Sequence, residues 1–319
     1  MTNSRIIATG SYLPKKILTN SELERLVSTT DEWITERTGI KTRHIADDGE
    51  LTSDLAAKAV LDLSRNYNLK IDEVEMIILA TTTPDLTFPS TATIVQSKIG
   101  AKNAFAFDVQ AVCSGFVYAL ATADAFIKSK QVKNALVICA ETLSRIVDWT
   151  DRNTCVLFGD GAGAVLLQAT EEENRGIIAS DLHSDGDLCN ILKTSGGISF
   201  NQKAGFIEMA GKEVFRHAVD KMSKSVLSCL EKAGLSINDV NLLIPHQANT
   251  RILDAVATRL NLPQEKVIIT VRDHANTSAA SIPLAMDYAN KLGRIKDHDV
   301  VVLEALGGGL TWGSVILRW

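Results

Sequence analysis

"IDEVEMIILATTTP", residues 71–84, returns later in the chain as "INDVNLLIPHQAN", residues 237–249. In each copy an acidic or amide-rich turn leads into a short apolar run of the kind that forms a buried strand. The downstream segments also match: an apolar helix-like stretch, a strand, a turn of small residues opening a second helix, and another strand. The last steps read "FDVQAVCSGFVYAL" (107–120) and "ALVICAE" (135–141) in the first copy. In the second they read "ITVRDHANTSAASIPLAM" (269–286), whose "VIITV" start is expected to be a strand, and "DVVVLEAL" (299–306). Strands alternating with helices of ten or more residues predict an α/β architecture with buried strands, and self-similarity at this separation predicts a duplicated unit. The charged stretch "TEEENRG" (170–176) is the expected joint, giving halves 1–170 and 171–319.

Composition narrows the class. With 319 residues, 45% apolar and 22% charged, the chain has the balance of a soluble globular protein. Its longest apolar runs, such as Ala135 to Ala140, are too short to span a bilayer. "MTNSRIIATG" lacks the charged-then-apolar pattern of a secretory signal, so a cytoplasmic protein without membrane insertion is expected. A net charge of −5 offers no general attraction to nucleic acid. The five cysteines are odd in number and contain no Cys-x-x-Cys pair, so neither a disulfide framework nor a metal site is expected.

Cys113 opens a helix-like stretch, where unpaired backbone N–H groups favour the thiolate and lower its pKa. Ser114 and Gly115 leave room for an incoming carbonyl. An isolated cysteine is more often a buried structural residue, so context must decide. His246 ends an apolar strand in the second copy, and Asn276 occupies a turn nearly equivalent to that of Cys113. Pseudo-symmetric halves bring such turns together at their interface, where one site can draw on both. His274 competes with His246, but its place before the turn assigns it a supporting role. Gly307, Gly308 and Gly309 permit a close backbone approach such as an oxyanion-binding N–H requires, or simply turn a hairpin. "FGDGAGAV" (158–165) runs into a strand rather than a helix, so it reads as a tight turn and not as a nucleotide fingerprint. In "NTRILDAVATRL" (249–260) Ile252, Leu253, Val256 and Leu260 form one apolar helical face, leaving Arg251, Thr258 and Arg259 outside it.

These residues carry a resemblance. "TDEWITERTGIKTRH", "VCSGF", "DRNTCVLFGDGAGA", "PHQANTRI" and "NTSAAS" occur in order between "GSYLP" and "GGGLTWGS". The chain closely resembles the β-ketoacyl-acyl carrier protein synthase III family of the thiolase-like superfamily. That resemblance implies a five-layer αβαβα thiolase-like fold of two pseudo-symmetric halves and a homodimer. It implies the initiating condensation of fatty acid synthesis without a cofactor: acyl-CoA, acetyl-CoA by default, acylates Cys113, and malonyl-acyl carrier protein then loses carbon dioxide and condenses. By the same resemblance His246 and Asn276 stabilise the enolate, and the backbone N–H groups of Cys113 and Gly308 form the oxyanion site. Thr29, Trp33, Arg37, Arg152, Asn249 and Arg251 bind CoA, with the adenine between Trp33 and Arg152. Arg216, Arg251 and Arg259 receive the acidic carrier protein. Phe88 reaches across the dimer to limit the partner's acyl pocket.

Two positions depart from the family words: Ala275 stands where glycine usually precedes "NTS", and Leu306 where phenylalanine commonly precedes the three glycines. A biosynthetic thiolase would need a second cysteine in "EALGGGLTWGS", which has none. Elongating synthases carry a second histidine where this chain has Asn276. A papain-like hydrolase shares the residue types but not the flanking words. A related ketosynthase of secondary metabolism would share the triad. A non-catalytic carrier-protein-binding module would need none of the three groups.

Overall fold

In the computed structural model, which describes residues 3–319, two sheets account for most of the strands. In chain order the first half contributes β1 (Asn3–Tyr12), the short pair β2 (Lys16–Thr19) and β3 (Thr42–Ile45), β4 (Met76–Ala80), β5 (Phe105–Val109), β6 (Asn134–Glu141) and β7 (Gly161–Thr170). The second contributes β8 (Gly176–Ser184), the small hairpin β9 (Leu192–Thr194) and β10 (Ile207–Met209), β11 (Leu242–Pro245), β12 (Val300–Gly307) and β13 (Thr311–Arg318). One sheet has the order β1-β7-β6-β4-β5 and the other β11-β12-β13-β8. In both, a parallel pair (β4 with β6, β11 with β12) continues into antiparallel neighbours, so the second sheet repeats the first without its β5 edge.

The apolar residues sort themselves into layers around these sheets. Met76, Ile78 and Ala80 face inward, while Ile77 and Leu79 face outward, and all are buried because helices cover both faces. Outside the first sheet lie helices Thr52–Tyr67 and Thr91–Ile99, the former presenting Leu55, Ala56, Ala59, Val60 and Leu63 at helical spacing. Helices Gly115–Lys128 and Ser281–Lys291 fill the space between the sheets, one from each half. Helices Gly211–Lys232 and Thr250–Arg259 cover the second sheet from outside. The result is the five-layer αβαβα arrangement of a thiolase-like fold.

One expected strand is absent. "VIITV" (267–271) makes only an isolated bridge, Leu243 with Val267, before entering the short helix Val271–His274. The Gln247 side chain explains the departure. Its Oε1 accepts the N–H groups of Thr270 (2.7 Å) and Val271 (3.1 Å), and its Nε2 donates to the carbonyls of Pro245 (2.8 Å) and Ile268 (3.0 Å). A side chain thus takes the hydrogen bonds that a ladder would have supplied. It also ties the segment before Asn276 to the end of β11, where His246 begins.

Arg43 is wholly buried and donates to the Leu18 carbonyl (3.2 Å), Asn20 Oδ1 (2.9 Å) and the Val156 carbonyl (3.0 Å). Burial lowers its pKa to about 10, and it clamps the β2–β3 lobe to the "DRNTCVLF" segment. Glu304, in the middle of β12, is also wholly buried, and neither carboxyl oxygen has a partner among the described residues. Burial raises this carboxyl to about 8 from an ordinary 4.5. Between those two values the folded protein keeps a proton that the unfolded chain has released, so rising pH favours unfolding across that window. Glu304→Gln, which cannot ionise, is expected to flatten the fall of melting temperature with rising pH. Thermal unfolding of both proteins from pH 5 to pH 9 checks this, and parallel curves would contradict it.

Candidate active site

Cys113 lies in the 3₁₀ turn Val112–Ser114 that joins β5 to helix Gly115–Lys128. The turn is held from the other half of the molecule. Thr311 Oγ1 donates to the Ala111 carbonyl (3.0 Å) and shares a hydrogen bond of 2.7 Å with Ser114 Oγ. Gly307 explains how the two halves come so close: a methyl group there would sit 2.6 Å from the Cys113 nitrogen and 3.0 Å from the Ala111 oxygen. Only a residue without Cβ lets β12 end against the backbone of Cys113. Gly308 is crowded on one side, with the Leu192 carbonyl 2.8 Å from where its Cβ would stand.

The thiol departs from expectation in its acidity. Helix-terminal N–H groups are expected to lower its pKa, yet burial pushes it up to about 12; the facing Ser278 hydroxyl acts against that rise and the Glu141 carboxyl adds to it. Desolvation of a fully enclosed anion outweighs the backbone dipoles. Cys113 is therefore a neutral thiol in the unliganded protein.

His246 and Asn276 meet Cys113 on the wall of one cavity of about 1690 Å³. The His246 ring is buried, which depresses its pKa to about 4, so it is neutral at physiological pH. Its Nδ1 lies 2.7 Å from Ser281 Oγ. Asn276 is fixed by its backbone, whose N–H donates to the Leu157 carbonyl (2.9 Å) and whose carbonyl accepts from Gly159 N–H (3.0 Å). Its side-chain Oδ1 accepts the Ser278 N–H at 2.9 Å. With the acceptor oxygen engaged, the amide N–H groups remain to serve the cavity. His274 is half-buried, its buried Nδ1 has no partner among the described residues, and it does not line that cavity.

Among the other residues expected from the sequence, Trp33, Arg37, Asn249 and Arg251 line the cavity, whereas Thr29 does not. Arg152 lies over the Trp33 ring at 4.7 Å and donates to the Ser28 carbonyl (3.0 Å), with Arg37 4.9 Å from the same ring. The expected adenine slot is therefore closed by direct contact of its two walls. Asn249 uses Oδ1 to cap its own helix, accepting Ile252 N–H at 3.0 Å. Arg251 lies over Phe215, Arg216 is exposed, and Arg259 is paired with Asp220 at 2.6 Å. Phe88 is 83% exposed and outside the cavity, though its neighbours Leu86 and Thr87 line it. Sequence reasoning misses Gln247, Ser281 and the cavity-lining Lys193 and Lys212, whereas the close backbone approach expected of the three glycines is found at Gly307. Of the missed residues, Gln247 and Ser281 carry a signal, since they lie within "PHQANTRI" and "NTSAAS".

Ala275 adopts φ 58°, ψ −164°, a region almost reserved for glycine. The departure from the family word is thus a strained residue directly before Asn276. Leu306 lines the cavity and reaches the apolar cluster beneath helices Gly211–Lys232 and Thr250–Arg259.

Comparisons with known proteins agree in the family they indicate. Residues 107–186 match the family model described as 3-oxoacyl-[acyl-carrier-protein] synthase III, and residues 230–319 match the model of its C-terminal part. The beta-ketoacyl-[acyl-carrier-protein] synthase III of Ehrlichia canis is 58% identical over 318 residues, covering 100% of both chains. Among solved structures, 3-oxoacyl-[acyl-carrier-protein] synthase III from Aquifex aeolicus superposes with a TM-score of 0.95 at 50% identity, covering 99% of this chain and 100% of that one. The priming beta-ketosynthase of the R1128 polyketide pathway superposes at 0.93 but is 31% identical, covering 99% of this chain and 96% of that one.

Replacing Ala275 by glycine is expected to stabilise the protein by about 1 kcal/mol, the relieved strain exceeding the added freedom of glycine in the unfolded chain. Chemical denaturation reads this as a higher midpoint at unchanged slope; a lower midpoint would show that Ala275 is at ease.

Proposed function

This chain belongs to the β-ketoacyl-acyl carrier protein synthase III family, and from that premise we propose how its residues share the reaction. The protein is an acyltransferase that catalyses the initiating condensation of fatty acid synthesis, joining an acyl group from acyl-CoA to a malonyl group on acyl carrier protein. Its identity to the synthase III of Ehrlichia canis (58%) and of Aquifex aeolicus (50%) exceeds that to the polyketide priming synthase (31%).

Cys113 attacks the acyl-CoA carbonyl. The C–S bond to CoA breaks, the S–H proton ends on the CoA sulfur, which leaves as the thiol, and the acyl group rests on the Cys113 sulfur as a thioester. Because the free thiol is strongly disfavoured as an anion, attack is coupled to arrival of the acyl-CoA rather than preceded by a standing thiolate. Malonyl-acyl carrier protein then replaces CoA. His246 Nε2–H and the Asn276 amide donate to its thioester carbonyl, so that the electrons released with carbon dioxide gather on an oxygen already held by two donors. The resulting carbon nucleophile attacks the acyl thioester, and the N–H groups of Cys113 and Gly308 stabilise the tetrahedral oxyanion until the Cys113 sulfur departs and recovers a proton. The observation that carries this reading is the shared cavity, whose wall holds Cys113 together with a neutral imidazole and an amide whose acceptor oxygen is engaged by Ser278 N–H.

Acetyl-CoA is the proposed primer. Its adenine enters between Trp33 and Arg152 when Arg152 swings away from the Ser28 carbonyl; Arg37 and Arg251 take the phosphates, beside Thr29 and Asn249. Carrier protein docks at Arg216, Arg251 and Arg259. A homodimer is proposed on the edge strand β5, where Phe105 is 46% exposed, stacks with Phe107 and meets Phe126 at a tilt, an apolar edge suited to being covered. Phe88 then enters the second subunit's acyl pocket. The scheme requires no cofactor, and the proposed location is the cytoplasm; no helix among the described residues is long and apolar enough to cross a membrane.

Intact-mass measurement after mixing with acetyl-CoA tests the assignment. The wild type, His246→Ala and Asn276→Ala are expected to gain one acyl group and Cys113→Ala none, while condensation with malonyl-acyl carrier protein falls by about 100-fold or more in the two donor variants. No adduct on folded, reduced wild type with any acyl-CoA would overturn the reading.

A further inference from the structure

Ser281 is the first residue of helix Ser281–Lys291 and is 2% exposed. Its hydroxyl touches two groups. It accepts the Gln247 N–H at 3.3 Å, and it lies 2.7 Å from His246 Nδ1. Among the described residues no other acceptor stands within hydrogen-bond distance of Oγ, so the hydroxyl proton has one place to go. If Nδ1 carried the imidazole proton instead, Ser281 Oγ would receive two donors and its own proton would be buried without a partner. The neutral ring therefore carries its proton on Nε2, the nitrogen left to face the cavity that this residue lines.

We infer that Ser281 is a positioning residue that locks His246 in the Nε2–H tautomer, making it a hydrogen-bond donor to the thioester carbonyl and not a base for Cys113. The inference rests on the proposed role of His246 and deepens it. Asn276 is held by the same logic, its acceptor engaged by Ser278 N–H and its donors left free. Ser281 and Ser278 both follow Asn276 in "NTSAAS", so one short segment sets the polarity of both donors. The two halves of the reaction differ accordingly: acyl loading needs no acceptor nitrogen on His246, whereas decarboxylation needs its N–H.

Two measurements test this. The first is ¹⁵N NMR of histidine-labelled protein, with His246→Asn to identify the signal. A wild-type ring protonated at Nε2 is expected; protonation at Nδ1 would overturn the inference whatever the protein's activity proves to be. The second compares Ser281→Ala with Ser281→Thr, which keeps the hydroxyl. Ser281→Ala is expected to load an acyl group at the wild-type rate while condensation falls roughly 10- to 100-fold, with mixed tautomers in the ¹⁵N spectrum and recovery in Ser281→Thr. Wild-type condensation by Ser281→Ala, or equal loss of loading and condensation in a protein of native thermal stability, would overturn it. A wild type that loads no acyl group would instead defeat the family reaction scheme and leave the tautomer result standing.

Discussion

The site depends on how closely two backbones approach at Gly307. The end of β12, from the second half, runs against the Cys113 turn, from the first, at a separation that leaves no space for a Cβ. Everything chemical follows from that contact. It places Cys113, the proposed nucleophile, beside the strand end carrying His246 and beside the turn carrying Asn276, and Thr311 fastens it with hydrogen bonds to Ala111 and Ser114. Neither half alone holds all three residues of the proposed site, so in the proposed scheme the repeated α/β unit is a condition of the chemistry as well as a description of the fold.

Burial has a second effect, on charge. It holds the Cys113 thiol at about 12 and the His246 imidazole at about 4, so both are neutral at physiological pH. The cavity therefore relies on oriented dipoles. Ser278 N–H engages Asn276 Oδ1, Ser281 engages His246 Nδ1, and Gln247 fixes the segment between them. Donors fixed in advance in a low-dielectric site stabilise developing negative charge without reorganising at the moment of reaction.

Much of this is legible in the sequence because it rests on local pattern. The apolar runs at 76–80 and 242–245 mark buried strands, and their repetition reveals the two units. Cys113, His246 and Asn276 stand out because each ends or follows a strand-like run at a turn. The features that stay hidden depend on contacts between distant segments. "VIITV" has strand composition, and nothing local reveals that Gln247 takes its backbone N–H groups. The acidity of Cys113 is misjudged because a helix start is visible in sequence, whereas the depth of burial that outweighs it is not. Ser281 looks like another small helix residue until folding brings it to His246. Ala275 is visible as a departure from the family word, but its strain is a backbone angle imposed by the fold.

The central claim is that the donors of one half act on the malonyl group independently of the nucleophile from the other. Its most direct test is the release of labelled carbon dioxide from malonyl-acyl carrier protein by Cys113→Ala, alone and combined with His246→Ala. Persistent decarboxylation by the single variant, lost in the double variant, is the predicted result. A single variant that releases no carbon dioxide, or a double variant that releases it undiminished, would contradict the division of labour between the two halves.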